Sequence, residues 1–428
     1  MTDAQAGRPG PVTESDVIVV GAGPGGSTAA RYLANRGLAV SLLEKASFPR
    51  DKICGDGLTP RVTKQLIRLG IDTSEAAGWH HNHGLRVHGG PTGELILPWP
   101  ELAEFPSYGL ARARTEFDEL LARHAEAGGV RLYEQANVTD PIIDRHSDRI
   151  VGVRCKDGRE FRAPFVVAAD GNSSRLGLAM GLTKRDDRPM GVAVRTYVES
   201  PRDREPYLDS WLELWDGKPK ESNLMPGYGW AFPLGNGLVN VGLGTVATSA
   251  TALGKVDYRD MLRRWLGATP PEWGFRTPVG PVRGAALPMC FNRQPLYTRG
   301  LLLVGDSGGM ISPFNGEGIA YAMESAELAA DAVAEAHFRG PGSPSAEKAL
   351  QHYPVALKDT LGGYFRLGTI FVKLINNPRV MHVCTEYGLP RPTLMKFTMK
   401  LLAHLYDTQN GDWMDRVITA ATKVVPAA

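Results

Sequence analysis

Cysteine is scarce. The chain has four: Cys54, Cys155, Cys290 and Cys384. None stands in a CxxC pair, and none has a histidine at zinc-site spacing, which argues against a disulfide framework or a structural metal. This usage predicts a reducing, cytoplasmic setting. An excess of one charge is also missing. Lys+Arg 48 against Asp+Glu 46 leaves a net charge of +2, which gives no electrostatic basis for binding nucleic acid. Long apolar runs are absent too. Stretches such as GLLLVG are strand-length and far too short to span a bilayer. The opening residues, MTDAQAGRPGPVTESD, lack the apolar core of a signal peptide, and residues 1–14 are expected to be a flexible tail. No internal repeat is visible. What is present is ordinary globular composition, 43% hydrophobic and 22% charged, in a 428-residue chain too long for one core.

The first organised segment is DVIVVGAGPGGSTAARYLANRGLAVSLLEK, residues 16–45. Residues 17–20 predict a buried strand, 27–35 a helix with Gly37 as its stop, and 39–43 a second strand ending at Glu44. Between the first strand and the helix lies GxGxxG, made by Gly21, Gly23 and Gly26. In a βαβ unit the three glycines serve, in order, a tight turn, a close approach to a pyrophosphate, and close helix–strand packing. The helix N-terminus supplies free N–H groups and partial positive charge to the phosphates. An acid placed like Glu44 binds ribose hydroxyls. The unit therefore predicts a dinucleotide site.

Further along, residues 116–129 predict a helix with a glycine stop, followed by a strand in VRLYEQANVTD. FRAPFVVAADGNSSRLG, residues 161–177, predicts a buried strand ending at Asp170-Gly171. Residues 186–284 alternate in MGVAVRTYV, SWLELWD and GLVNVGLG, the pattern of antiparallel strands. Residues 299–337 return to strand, loop and long helix, and 346–428 read as mostly helical. Residues 48–60, FPRDKICGDGLTP, fit neither helix nor strand, since prolines at both ends and paired glycines describe a constrained loop.

Taken together, GAGPGG at 21–26, ADG at 169–171 and VGDSGG at 304–309 resemble the single-Rossmann flavoproteins that include the aromatic hydroxylases. FPRDKICGDGLTP, PGYGWAFPLGNG at 226–237 and SPFNGEGIAYAMES at 312–325 narrow this to a resemblance to the geranylgeranyl reductase family, in its actinobacterial branch of menaquinone isoprenyl-chain reductases. The resemblance runs from residue 15 to the end. It implies an α/β fold with a discontinuous FAD-binding domain at 15–80, 108–185 and 285–340. It implies a substrate-binding antiparallel sheet domain at 81–107 and 186–284, and a helical region at 345–428.

It also implies FAD, with Gly21, Gly23, Gly25 and Gly26 around the pyrophosphate and Glu44 on the AMP ribose. Arg114, Val138, Asp170 and Asp306 fall at cofactor-contacting positions, and Gly316, Gly318 and Ile319 would bring a helix N-terminus to the flavin pyrimidine. The 48–60 loop would pass beside the flavin ring, with Lys52, Cys54 and Gly55 near the cofactor, its glycines letting backbone approach the ring, and Arg50 and Lys52 meeting phosphate or the ring edge. Cys54 is then a candidate proton donor or a small apolar filler, and Asp56 a candidate acid or a loop-structuring residue. Tyr228, Trp230 and Phe232 read both as sheet packing and as the wall of an apolar pocket.

The implied reaction is saturation of isolated double bonds of an isoprenoid chain, on menaquinone or a geranylgeranyl lipid or diphosphate. No second Rossmann unit is visible, so the electron donor, NAD(P)H or a ferredoxin, stays open. A flavin monooxygenase on the same fold is the alternative, and a non-catalytic flavin or lipid carrier a further one. The implied partners are an isoprenoid lipid, an electron-donor protein and the inner face of the cell membrane. Residues 391–407 predict an amphipathic helix with Leu394, Phe397, Leu401 and Leu405 on one stripe and Lys396 and Lys400 between them, facing either the core or a membrane surface. His80, His81, His83 and His88 cluster without metal spacing and predict a solvated loop before a strand. GDSGG at 305–309 matches a serine-protease string, but its α/β setting makes Ser307 a turn residue.

Overall fold

The computed structural model describes residues 12–90, 93–248 and 256–424. Residues 1–11 of the expected tail, 249–255 of the expected sheet region and 425–428 at the helical end lie outside the described residues. Residues 12–14 are not tail. Val12–Glu14 is a strand paired in parallel with Glu160–Arg162, with Val12 and Glu160 in register.

The central sheet runs in the order Tyr297–Thr298, Leu301–Leu303, Phe165–Ala168, Val17–Val20, Val40–Leu43, Arg131–Tyr133. Its pairs are parallel except the first. Val17–Val20, VIVV, is buried at every position. A strand covered on both faces has no solvent side to alternate towards, hence the unbroken apolar run. The helix Pro24–Asn35 lies against it, with Pro24 in its first turn and Gly37 just past its end at φ +82°. Ile319–Phe338 packs alongside through buried small residues such as Ala326, Ala329 and Ala330, which let two helix backbones come close.

The expected strand in VRLYEQANVTD is two. Arg131–Tyr133 belongs to the central sheet, whereas Val138–Ile143 pairs with Ile150–Cys155 in a separate one. Gln135, at φ +54°, turns the chain between them.

A second large sheet runs Arg283–Pro288, Met190–Glu199, Leu238–Ala247, Gly227–Pro233, Leu208–Trp211, Gly84–His88, Glu94–Pro98. It is antiparallel except where Leu208–Trp211 meets Gly84–His88. Three of the four histidines lie on strands, not in a solvated loop, while His83 stands exposed in the link between two of them. His80 and His81 belong to His80–Asn82, which pairs with Gly109–Ala111. His88 Nε2 lies 2.7 Å from Asp209 Oδ1, and its ring stacks on Trp211 at 4.2 Å. The Glu205 and Thr73 carbonyls and the Asp209 carboxylate, all from other segments, hold the rings of His80, His81 and His88, a tertiary effect that local polarity conceals.

After residue 343 the chain is helical: Pro344–Leu357, Gly363–Ile375, Pro378–Val383, Pro392–Leu402 and Trp413–Val424, with wider helical turns at Lys358–Gly362 and Cys384–Gly388. The expected apolar stripe is covered only in part: the helix ends at Leu402, Leu401 packs against the core and Leu405 beyond it is buried. Met395 and Met399 are buried, while Leu394 is 45% exposed. Lys400, expected on a solvated face, is buried, with Nζ 2.8 Å from Asp412 and 2.7 Å from Asp415. Two carboxylates from the next turn replace its water.

Candidate active site

One cavity of about 970 Å³ runs between the two large sheets and the C-terminal helices. Its first end is built from the glycine turn. Gly21 sits at φ +99°, and a Cβ there would lie 2.4 Å from the Ala169 carbonyl oxygen. Gly25 lies against Val304 and Ala322, where a Cβ would be 3.0 Å from Val304 Cγ1. Pro24–Asn35 therefore starts with its first N–H groups open to the cavity, with no side-chain cap and no acid in its first turn, a ready anion site.

Glu44 is held rigidly. Its Oε2 accepts from Ala22 N and its Oε1 from Ala46 N, both at 3.1 Å. Arg50 joins this end, with Nη2 3.2 Å from Glu44 and Nη1 2.7 Å from Asp118. Arg114 forks onto the same buried Asp118 at 2.6 and 2.8 Å. The charges of Arg50 and Arg114 are thus offset by Glu44 and Asp118. Lys52 lies half-buried in the wall, and its ammonium has no ion-pair partner among the described residues.

Gly21, Gly23, Gly25, Glu44, Lys52, Cys54, Gly55, Arg114, Val138, Asp170, Asp306, Gly316, Gly318 and Ile319 all line this cavity, as do Tyr228, Trp230 and Phe232. Gly26 does not. It stands behind the wall, where a Cβ would come within 1.7 Å of the Gly21 carbonyl oxygen, so it serves to pack helix onto strand. Asp170 keeps Oδ1 buried without a partner, and burial raises its carboxyl above the ordinary value. Two uncapped helix starts, at Gly23 and Gly318, point at one cavity. A backbone cradle that a Cβ would fill and a fixed acid at the strand end fit FAD.

The 48–60 loop crosses the middle of the cavity, and the structure changes its interpretation. Its glycines make room for aromatic side chains. A Cβ on Gly55 would lie 3.0 Å from Phe232 Cε2, and one on Gly57 2.8 Å from Phe232 Cδ2. The left-handed residue is Asp56, at φ +64°. Its carboxyl does not structure its own loop. Oδ2 accepts from Tyr197 Oη at 2.7 Å and from Asn240 Nδ2 at 2.8 Å, and Oδ1 accepts from Arg114 N at 3.2 Å. Asp56 thus ties the loop to the second large sheet and to the start of the Arg114–Ala127 helix. Burial pushes its pKa up to about 6 despite these donors.

Asn240 also donates to the Cys54 carbonyl at 2.8 Å and accepts from Trp230 Nε1 at 2.9 Å. Cys54 is therefore presented to the cavity by a fixed backbone. Burial raises its thiol, which stays protonated at neutral pH. Ser307 is buried in the Gly305–Gly308 turn, its hydroxyl on the carbonyls of Ala168 and Val304.

Sequence reasoning missed Tyr197, Asn240, Thr59 and Glu317. Tyr197 and Asn240 are ordinary strand positions whose meeting with Asp56 depends on sheet register. Glu317 was visible only as the middle of a glycine turn. It also missed the far end of the cavity, lined by Phe371, Ile375, Met381, Leu389, Met395 and Met399, because these lie on helices whose apolar faces look like core.

Residues 14–349 match the family described as FAD binding domain. The menaquinone reductase of Mycolicibacterium smegmatis is 35% identical over 95% of this chain and 95% of its own. The digeranylgeranylglycerophospholipid reductase of Methanocella arvoryzae is 31% identical, over 82% of this chain and 84% of its own. Among solved structures, a geranylgeranyl bacteriochlorophyll reductase-like protein from Thermoplasma acidophilum superposes with a TM-score of 0.73 at 24% identity, covering 96% of each chain. A flavin-dependent brominase superposes at 0.70 with 21% identity, covering 96% of this chain and 99% of its own, a likeness of fold alone. With the dinucleotide cradle, the two sheets and these relatives in agreement, the chain is an FAD-dependent reductase of the geranylgeranyl reductase family.

Proposed function

We propose that this enzyme saturates isolated double bonds in an isoprenoid chain, with the menaquinone side chain as first candidate and geranylgeranyl lipids or diphosphate next. The observation that carries this reading is the cavity's continuity. It leads from the glycine cradle past Cys54 and the Tyr228-Trp230-Phe232 wall into an apolar passage between the C-terminal helices. Reduced FAD supplies a hydride when bound. The chain's own residues do the rest. The apolar walls align a long hydrocarbon and exclude water, so that an alkene with no activating carbonyl is held in one register. Asp56, Asn240 and Trp230 keep the loop that forms the middle wall in place.

The proposed substrate dissolves in bilayers, and the outer end of the cavity suits a membrane surface. Val383, Tyr387 and Leu394 line the cavity and are also 54%, 57% and 45% exposed, which puts its mouth at these helices. Phe397, Trp413 and Val417 continue the apolar ground beside Leu394. Among the described residues no helix is long and apolar enough to cross a membrane. We therefore infer peripheral docking of this face on the inner side of the cell membrane, with NAD(P)H or a ferredoxin-like protein as electron donor.

The test uses protein with FAD reduced anaerobically, incubated separately with menaquinone and geranylgeranyl diphosphate, followed by product masses. Gain of two hydrogens on a prenyl chain is the expected result. No gain on either, with flavin bound and reduced, overturns the reading and turns attention to oxygen-dependent chemistry. Co-sedimentation with anionic vesicles, weakened in Leu394→Glu, tests the docking face.

A further inference from the structure

Saturating an alkene takes a proton as well as a hydride, and the cavity holds a carboxyl suited to supply it. Glu317 lies in the turn between Gly316 and Gly318, directly before the helix Ile319–Phe338, and lines the cavity. The turn is fixed from both sides. Glu317 N donates to Asn315 Oδ1 at 3.0 Å, and the Glu317 carbonyl accepts from Ser312 N at 2.8 Å. In the side chain, Oε1 accepts from Thr59 Oγ1 at 2.8 Å. Oε2 is buried and has no partner among the described residues.

Five titratable groups from the surrounding elements face this carboxyl: Arg61 from Pro60–Arg68, Tyr321 and Glu324 from Ile319–Phe338, Tyr364 from Gly363–Ile375, and Tyr228 from Gly227–Pro233. Arg61 is the one cation of the five, and it is engaged elsewhere. Its Nε lies 2.7 Å and its Nη2 2.9 Å from the Glu324 carboxylate, and its Nη1 donates to the His404 carbonyl at 3.0 Å. Glu324 thus offsets the charge that would otherwise hold Glu317 ionised. Beside that ion pair, Glu317 has three phenols and the hydroxyl of Thr59 around it. A buried carboxyl in such surroundings keeps its proton.

We propose that Glu317 is the proton donor of the alkene reduction. The inference rests on the isoprenoid reading above. The O–H bond of the Glu317 carboxyl breaks, and a C–H bond forms at the alkene carbon that does not take the hydride. The electron pair of the O–H bond stays on the carboxylate. The hydride comes from reduced flavin, and the carboxylate regains a proton from solvent before the next turnover. Thr59 supports the transient anion by donating to it.

Cys54, which the sequence leaves open as a proton donor or an apolar filler, compares poorly as an acid. Burial raises its thiol above 9.0, whereas burial puts Glu317 at about 7. A general acid works best with a pKa near the operating pH, and each unit of difference corresponds to about 1.4 kcal/mol of proton-transfer driving force.

The experiment has two arms. In the first, cofactor-free wild type, Glu317→Gln and Cys54→Ser are titrated by infrared difference spectroscopy. The expected result is a protonated-carboxyl C=O band that titrates near pH 7 in wild type and Cys54→Ser and is missing from Glu317→Gln. A band unchanged in Glu317→Gln overturns the proposal. In the second arm, reduced holoenzyme turns over menaquinone or geranylgeranyl diphosphate. Glu317→Gln should lose roughly 100-fold or more in kcat while binding FAD with an unaltered spectrum. Glu317→Asp should recover part of the rate. Wild type and Cys54→Ser should both lose rate as pH rises through about 7.

Near wild-type turnover in Glu317→Gln overturns the proposal. If wild type reduces no isoprenoid, the substrate reading falls and the assignment of a donor falls with it. The infrared band then still reports whether Glu317 is a neutral acid. Should Glu317→Gln misfold, Glu317→Asp and the pH profile of Cys54→Ser decide.

Discussion

The two glycine-rich loops of the cavity look alike in sequence and work differently. At the first and last glycines of GAGPGG the nearest atoms that a side chain would meet are backbone: Ala169 O at 2.4 Å from a Gly21 Cβ, and Gly21 O at 1.7 Å from a Gly26 Cβ. In CGDG they are rings: Phe232 at 3.0 Å from Gly55 and 2.8 Å from Gly57, and Trp230 Nε1 at 3.4 Å from Gly55. A carbonyl locked in a sheet cannot retreat, whereas a ring can turn or be exchanged. The left-handed residue also differs. In the first loop it is Gly21, for which the conformation is free of steric cost. In the second it is Asp56, held there by Tyr197, Asn240 and Arg114 N. The first loop is shaped by its own residues, and the second by the sheet packed against it.

This contrast orders the expected effects. Gly26→Ala should be the most damaging, since nothing opposite it can yield. We expect a stability loss of at least about 4 kcal/mol or no folded protein, measured by denaturant unfolding of the cofactor-free chain. A loss under about 1 kcal/mol, well below that expectation, would break the comparison. Asp56→Ala comes next. It strands a phenol, an amide and a backbone N–H, at a cost of roughly 2–4 kcal/mol. Limited proteolysis within 48–60 should rise sharply, and an unchanged digestion pattern would mean the loop does not depend on the sheet.

A pH scan of stability that compares wild type with a variant lacking two raised carboxyls gives a smaller effect of definite sign. Burial lifts Asp56 from 3.8 to about 6 and Glu317 from 4.5 to about 7. Between the unfolded and folded values of these two groups the native state binds more protons, so their part of the stability should fall as pH rises from about 4 to about 7 and then level off. Two sets of groups act with the opposite sign: exposed carboxylates held low by neighbouring donors, such as Asp144 and Asp157, below 3.8, and His80, His124 and His404, which burial holds below 6.5. The double variant Asp56→Asn with Glu317→Gln should flatten the slope. An equally steep slope in that variant would assign it to other groups. Smallest is Gly55→Ala, at about 1 kcal/mol. Phe232→Leu in the same chain should return part of that cost if the ring is what the glycine accommodates. Strict additivity of the two changes would show that it is not.

The first βαβ unit was legible because its signals are local. An apolar run, a glycine spacing and an acid at a strand end all fall within residues 16–45. The long helix after Gly318 and the alternating strands of 186–284 were legible for the same reason. The four-histidine cluster reads as a loop in sequence because its partners, Thr73, Glu205 and Asp209, come from other segments. The helix at 391–407 misleads in another way. Its regular stripe exists, but the neighbouring fold covers only the Leu401–Leu405 end of it, buries Met395 and Met399 as well, and neutralises Lys400 with Asp412 and Asp415. Periodicity reports that a helix has two faces. Which one is covered depends on what packs against it.

The sequence by itself determined the nucleotide half of this protein. The turn, the helix start and the acid at the strand end are properties of about thirty consecutive residues and need only their own backbone geometry. Only the tertiary structure decided the reactive half. The pKa of Glu317, the posture of Asp56 and the length of the apolar passage arise where elements distant in sequence exclude water from one another. Desolvation and packing are properties of that meeting, and no single segment encodes them.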